Sequence, residues 1–488
     1  MSQGGLGITA LVLYLLALVW IAVVAGRARQ DRSPADHFLA GRQLGTFVLF
    51  LTLYATAYSG NSLLGYPGEA YRRGFSWVMA TGFMMSIVVV FHALAPGLRT
   101  VAVQQGFITP GDWIRHRFDS DPCGRALQVA VALLMSLALG NFLLAQLVAM
   151  GHVTQAVTAG HLPYWAGVVG LAAVILFYET LGGMRAVAWT DAAQGILMLA
   201  GLAALLTWLL REAGGLASIS QQIAAARPAA VAVPSIREQL NWGSTLILLG
   251  VASVVYPQAI QRIYAARSGR ALRRAFAWMT FMPLTTTLVV TLIGLAAIPR
   301  LAGLGAIEAD TVMPQLLALW ASHGPVAAAL AALVFLGALA AIMSTADSVL
   351  LSLGSVVAGD LLARDGRDPA TTRLGKRIAV VVMGVAVLYA LTPRITLWRL
   401  IELKMELLVQ CAPAFLLALH WRRMDARCTL AGLVAGTILA VGASLLGQKQ
   451  VGGIHVGVIG LALNLAVACA WTAATARCGP GRQELKGS

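Results

Sequence analysis

The chain has 488 residues, 59% of them hydrophobic and only 11% charged, with a mean hydropathy of +0.78. Soluble domains carry roughly 25% charged residues, so the composition points to one polytopic membrane unit. The net charge of +15 does not imply nucleic acid, because the arginines fall in short loops between apolar runs rather than on a soluble face.

Apolar runs near the ~20 residues that a bilayer demands recur along the chain and predict an all-α protein with about 13 transmembrane helices. They fall at 7–26, 45–70, 75–98, 126–158, 163–180, 186–210, 242–264, 275–299, 325–361, 378–393, 396–420, 427–446 and 454–475. No A-x-A-like cleavage site follows the first run, which reads as a retained helix. The start, MSQGGLG, is uncharged, whereas the next loop holds Arg27, Arg29, Arg32 and Arg42. Every second loop then repeats that basic excess, and the long 211–241 segment does not. The positive-inside rule gives an outside N-terminus and a cytoplasmic C-terminus in a bacterial inner membrane.

The second span is interrupted at 58-YSGNSLLGYPG-68 and the seventh at 252-ASVVYPQ-258. A matched pair of Gly- or Pro-broken spans points to an inverted-repeat transporter with its site at mid-membrane. Spans 2–6 and 7–11 would then form two five-helix repeats, 45–211 and 242–420. Residues 1–44 and 421–488 would be peripheral, in one transmembrane domain. Gly and Pro are also ordinary in membrane helices.

The ninth span carries 341-AIMSTADSVLL-351. Ala341, Ser344, Thr345 and Ser348 lie at i, i+3, i+4 and i+7, on one stripe. Hydroxyl and carbonyl oxygens are hard ligands, suited to a small hard cation. A break at Ser59–Gly60 would free the carbonyls of Ala55 and Tyr58 to complete such a site. The competing reading is close helix packing through small residues.

Enzyme signatures are missing: no GxxxxGK[ST], no HExxH, no GxSxG and no Cys/His cluster occurs. The five cysteines, Cys123, Cys411, Cys428, Cys469 and Cys478, are scattered and imply neither a disulfide framework nor a zinc site.

Four segments in order carry a resemblance: GRQLGTFVLFLTLYATAYSGNSLLGYPGEAYRRG, LGGMRAVAWTDAAQG, YPQAIQRIYAARS and AAIMSTADSVLL. Together the chain resembles the sodium:solute symporter family over essentially its whole length. The resemblance implies a leucine-transporter-type inverted-repeat fold that takes up a solute on the sodium gradient. The family's sodium site falls on the carbonyls of Ala55, Tyr58 and Ala341 and the hydroxyls of Ser344 and Thr345. Asp191 matches a family aspartate and pairs, on this reading, with Arg262 as an inner gate, since a buried carboxylate needs a partner. A rival use is a second cation site of Asp191, Asp347 and Ser348. Many relatives carry an uncharged residue where Asp347 stands.

The solute should sit beside the two breaks. Candidates are Ser59, Asn61 and Ser62, then Asn141 and Gln146 on the fourth span, then Tyr256 and Gln258. Exposed amides and half-helix N-termini favour a carboxylate-bearing ligand, a small monocarboxylate or amino acid. The eleventh span departs most from the family, with Arg399, Glu402, Lys404 and Glu406 in 398-WRLIELKMELLVQ-410. These form either a self-paired, snorkelling outer end or, through Arg399 or Lys404, an anion site. Sodium is the expected coupling ion, with the bilayer and a small solute as partners and neither nucleic acid nor an obligatory protein. A proton-coupled carrier using Asp191 or Asp347 is the alternative. A transporter-like sensor is the other, disfavoured because no kinase domain follows the last span.

Overall fold

The computed structural model describes residues 3–27, 33–301, 303–306, 308–362, 368–392 and 396–477. The architecture is helical because in lipid each backbone N–H and C=O must be paired within the protein, and a helix does so locally. In chain order the first half holds α1 (Gln3–Arg27), α2 (Pro34–Leu39), α3 (Thr46–Ala57), α4 (Tyr66–Arg73), α5 (Ala80–Gln105), α6 (Pro110–Arg117), α7 (Gly124–Val157) and α8 (Tyr164–Ala213). The connecting helix α9 (Leu216–Ala226) precedes α10 (Ile236–Ser253), α11 (Pro257–Ala265), α12 (Gly269–Met279), α13 (Leu288–Ala297), α14 (Val312–Ala321) and α15 (Pro325–Val356). The remainder is α16 (Pro369–Ala390), α17 (Leu397–His420), α18 (Ala426–Leu445), a two-stranded hairpin of β1 (Gln450–Val451) and β2 (Ile454–His455), and α19 (Val456–Arg477).

Both expected breaks are present. α3 stops at Ala57, Tyr58 leaves helical geometry at φ −100° and ψ 83°, and a π-helical turn at Asn61–Gly65 leads into α4. Gly60 is required by close approach: a Cβ there would lie 2.5 Å from Ile342 and 2.9 Å from the Ala149 side chain. The second break separates α10 from α11, which are bent by 50° across it, with Pro257 starting the new helix. The runs expected at 163–180 and 186–210 form one long element, α8, kinked at Gly183 (φ 56°, ψ −156°).

Among the described residues, eight helices are long and apolar enough to cross a membrane, or nine with the bent α10–α11 pair as one span, against the thirteen expected. The difference has physical causes. α3 is apolar but cut short by the break after Ala57. α16 carries Arg373, Lys376 and Arg377, and α17 carries Arg399, Glu402, Lys404 and Glu406. The short helices α2, α6 and α9 are absent from the expected pattern because they lie in connecting segments.

α15 is the hub, packing most extensively on α8 and next on α7. Its residues from Val334 onward are almost all buried. Side chains such as Leu16, Val89, Leu137, Val381 and Ile438 project from the perimeter with more than 60% of their surface exposed. So large an apolar perimeter is unfavourable in water and natural against lipid. At the arginine-rich end the backbone closes across the two halves: the Leu44 N–H donates to the Ala265 carbonyl (3.2 Å), and the Arg267 N–H to the Leu44 carbonyl (2.9 Å). Arg42 and Arg99 add bonds to the carbonyls of Tyr264, Phe107 and Ala266.

Candidate cation site, gate and solute cavity

The break in α3 sets the cation geometry. The last carbonyls of a helix have no i+4 donor, and at Ala55 the carbonyl faces α15 instead. The Thr345 hydroxyl lies 3.4 Å from the Ala55 carbonyl and 3.1 Å from that of Ala341. Three of the five expected sodium ligands thus converge, and all are buried. The Ser344 hydroxyl, the fourth, donates to Asp191 Oδ1 at 2.5 Å. A hydroxyl that donates its proton keeps lone pairs for a cation, so this bond is compatible with ligation. Tyr58, the fifth, sits at the break with its main chain bent out of the helix.

Asp191 and Arg262 are both fully buried and paired at 2.9 Å. Asp191 Oδ2 also accepts the Thr52 hydroxyl, and Thr52 in turn accepts Arg262 Nε at 2.8 Å. The guanidinium is completed by the Ser348 hydroxyl (2.6 Å) and the Gln258 carbonyl (3.1 Å). Arg262 therefore lies between Asp191 and Ser348, two members of the rival second cation site, and supplies the positive charge there. Asp347, the third member, is buried, with Oδ1 3.2 Å from Ser348 Oγ, and lies within electrostatic reach of Tyr14. Thr52 was not singled out in the sequence. Its position one turn before Ala55 and Thr56 on the same face is the signal that could have found it.

Above this pair lies a cavity of about 70 Å³ between α3, the two breaks, α5, α12 and α17. Of the expected solute contacts, Ser59, Ser62 and Tyr256 line it. Asn141, Gln146 and Gln258 are not among its lining, and the side chain of Asn61 lies outside the described residues. Gln146 instead secures the break, accepting the Gly60 N–H at 3.0 Å, one of the donors that an interrupted helix leaves over. The Gln258 amide and Asn141 Oδ1 are buried without hydrogen-bond partners among the described residues. Thr56, Ser253, Phe142 and Lys404 line the cavity as well.

The charged run of α17 divides in two. Arg399 pairs with Glu402 (3.1 Å) and Glu406 (2.7 Å) and donates to Ser444 (2.6 Å). His455 of the hairpin packs beside both carboxylates, its Nε2 3.7 Å from Glu406 and 4.0 Å from Glu402. Lys404 faces the other way, with Nζ 3.0 Å from the centre of the Phe142 ring and 5.1 Å from that of Tyr256. At the start of α17, Asp310 accepts the Leu397 N–H at 2.9 Å, and burial pushes its carboxyl up to about 7.

Two broken helices packed on a polar-striped third, with a cavity at the breaks, define a helical membrane transporter of the leucine-transporter type. The solved structures agree on the fold. Over 99% of both chains this one superimposes, with a TM-score of 0.79 and 17% identity, on a Na+-coupled sialic acid symporter in a substrate-bound outward-open state. The chain belongs to the sodium:solute symporter family, whose pattern it matches over residues 37–436. It is 28% identical to the sodium/pantothenate symporter of Escherichia coli (strain K12), covering 94% of each chain. It is likewise 28% identical to the osmoregulated proline transporter OpuE of Bacillus subtilis (strain 168), covering 88% of this chain and 87% of that one.

Proposed function

We propose that this protein is a sodium-coupled symporter that brings a small organic solute into the cell by alternating access. The observation that carries the reading is the Thr345 hydroxyl, set between the carbonyls of Ala55 and Ala341 where α3 breaks. Those oxygens, with Tyr58 and Ser344, form a sodium site that holds the broken helix against α15. Neutral oxygens suit an ion that must be released in every cycle. Asp191 and Arg262 form the inner gate beneath the cavity, and Ser59, Ser62 and Tyr256 contact the solute. The two repeats span 45–211 and 242–420. The arginine-rich end faces the cytoplasm of a bacterial inner membrane, with the N-terminus outside. The names of the relatives support sodium coupling and a small solute.

Sodium drives uptake only if it binds one state better than the other, and each inward charge then adds about 2.3 kcal/mol per 100 mV. The test is uptake into proteoliposomes under a sodium gradient, comparing the wild type with the Ser344→Ala/Thr345→Ala double variant. Sodium-stimulated uptake should vanish in the variant while its membrane level is unchanged. Uptake that ignores sodium and follows a pH gradient would select the proton-coupled alternative through Asp191 or Asp347.

A further inference from the structure

Building on the symporter reading, we infer that Lys404 anchors the solute's carboxylate, and that the solute is a monocarboxylate with an apolar body and no ammonium group. Lys404 sits in the middle of α17, only 4% exposed, and lines the cavity. Among the described residues its ammonium has aromatic faces for neighbours, Phe142 and Tyr256, and pairs with no carboxylate. The attraction of a ring for a cation is small beside the cost of taking an ammonium out of water. An amine buried this way lacks a counter-ion, and the cavity is where one would fit.

The other side chains define what that counter-ion carries. The second cation in the lining, Arg262, is already committed to Asp191, Thr52, Ser348 and a carbonyl. Arg399 is held outside by Glu402 and Glu406. Among the described residues no aspartate or glutamate lines the cavity, so an amino acid's ammonium would meet neutral hydroxyls and the repulsion of Lys404. A second carboxylate would face walls such as Ile87, Val88, Leu249 and Met279. One negative charge at Lys404 and an apolar remainder match the site on every side.

The test uses purified full-length protein, with and without sodium. Binding is measured for the monocarboxylates from propionate to octanoate and for two matched pairs: 4-methylpentanoate against leucine, and cyclopentanecarboxylate against proline. 4-Methylpentanamide serves as the uncharged control. At least one monocarboxylate should bind in sodium, with its amino-bearing analogue and the amide bound at least about tenfold more weakly. Lys404→Met should lose carboxylate affinity by about 10- to 150-fold, the range for a hydrogen bond to a charged partner. Lys404→Arg should retain most of it.

Two further readouts separate the causes. Lys404→Met should raise the Tm of the solute-free protein, because it replaces a buried amine that has only aromatic neighbours with an apolar chain; a lower Tm would mark Lys404 as a structural group on the two rings and overturn the inference. So would tighter binding of leucine or proline than of their deaminated partners, unchanged affinity in Lys404→Met, or no binding by any monocarboxylate. Sodium alone, titrated without organic ligand, should stabilise wild type and Lys404→Met equally. If sodium stabilises neither, the symporter reading itself fails, whatever Lys404 does.

Discussion

Thr345 is the residue on which the sodium assignment can be weighed most cleanly. Thr345→Val keeps the branched shape and removes the hydroxyl that lies 3.1 and 3.4 Å from the Ala341 and Ala55 carbonyls. Thr345→Ser keeps the hydroxyl and removes a methyl. Loss of one polar ligand to a charged partner costs about 1.5–3 kcal/mol, or about 10- to 150-fold in affinity. At a sodium concentration near 100 times Kd, binding stabilises the folded protein by about 2.7 kcal/mol. A 100-fold weaker site at the same concentration yields only about 0.4 kcal/mol. Sodium titrations of Tm, with choline holding ionic strength constant, should therefore lose most of their amplitude in Thr345→Val and keep it in Thr345→Ser. A wild-type sodium response in the valine variant would refute the assignment, and so would equal impairment of both variants.

Removing Arg262 leaves Asp191 as an uncompensated buried carboxylate, at a cost of about 3–5 kcal/mol. Arg262→Ala should lower Tm sharply, and Arg262→Ala/Asp191→Ala should recover part of the loss. Strictly additive losses in that cycle would mean that the 2.9 Å pair carries no coupling. Asp310, in the connection before α14, offers a pH test. Its carboxyl is raised from near 3.8 to about 7 by burial, so its protonated form is favoured in the folded state. That contribution is present in full below pH 4 and is lost as pH rises through about 7, at up to about 1.4 kcal/mol for each pH unit crossed. Tm should fall more steeply from pH 5 to 8 in the wild type than in Asp310→Asn, and parallel profiles would exclude this role.

What was legible in the sequence divides along the range of the interactions. The two breaks were readable because Gly, Ser and Pro stand out in an apolar run: Pro257 acts on its own backbone, whereas the packing against Ile342 and Ala149 that requires Gly60 was not readable. The oxygen stripe at Ser344 and Thr345 was readable because helical spacing fixes which residues share a face. Long-range partners were not readable by spacing. Asp191 and Arg262, 71 residues apart, were paired only through the family resemblance and the rule that buried charges need partners. Nothing local links Thr52 or Gln146 to the groups they satisfy, 139 and 86 residues away. The charged run of α17 was conspicuous, but its division was not: whether Lys404 joins the Arg399 cluster or faces the cavity depends on the rotation of the helix against α7. Gln146 shows the same limit: its spacing offered a solute contact, while its bond to the Gly60 N–H at the break comes from long-range packing.

The bonds around Ser344 also suggest how ion and gate communicate in the proposed cycle. Its hydroxyl gives a proton to Asp191 while the neighbouring Thr345 hydroxyl rests on the α3 carbonyl. A cation drawn to the Ser344 oxygen would polarise that O–H and strengthen its bond to the carboxylate. Asp191 in turn holds Arg262 directly and through Thr52. The proposed sodium site and the Asp191–Arg262 pair thus share one short chain of hydrogen bonds, so that an ion bound at one end would change the electrostatics at the other without touching the arginine. Asp347 joins the far end of this chain through Ser348, whose hydroxyl meets both Arg262 (2.6 Å) and Asp347 Oδ1 (3.2 Å). Between the Thr345 oxygens and Asp191 the link is the neutral Ser344 hydroxyl, three residues before the conspicuous charge.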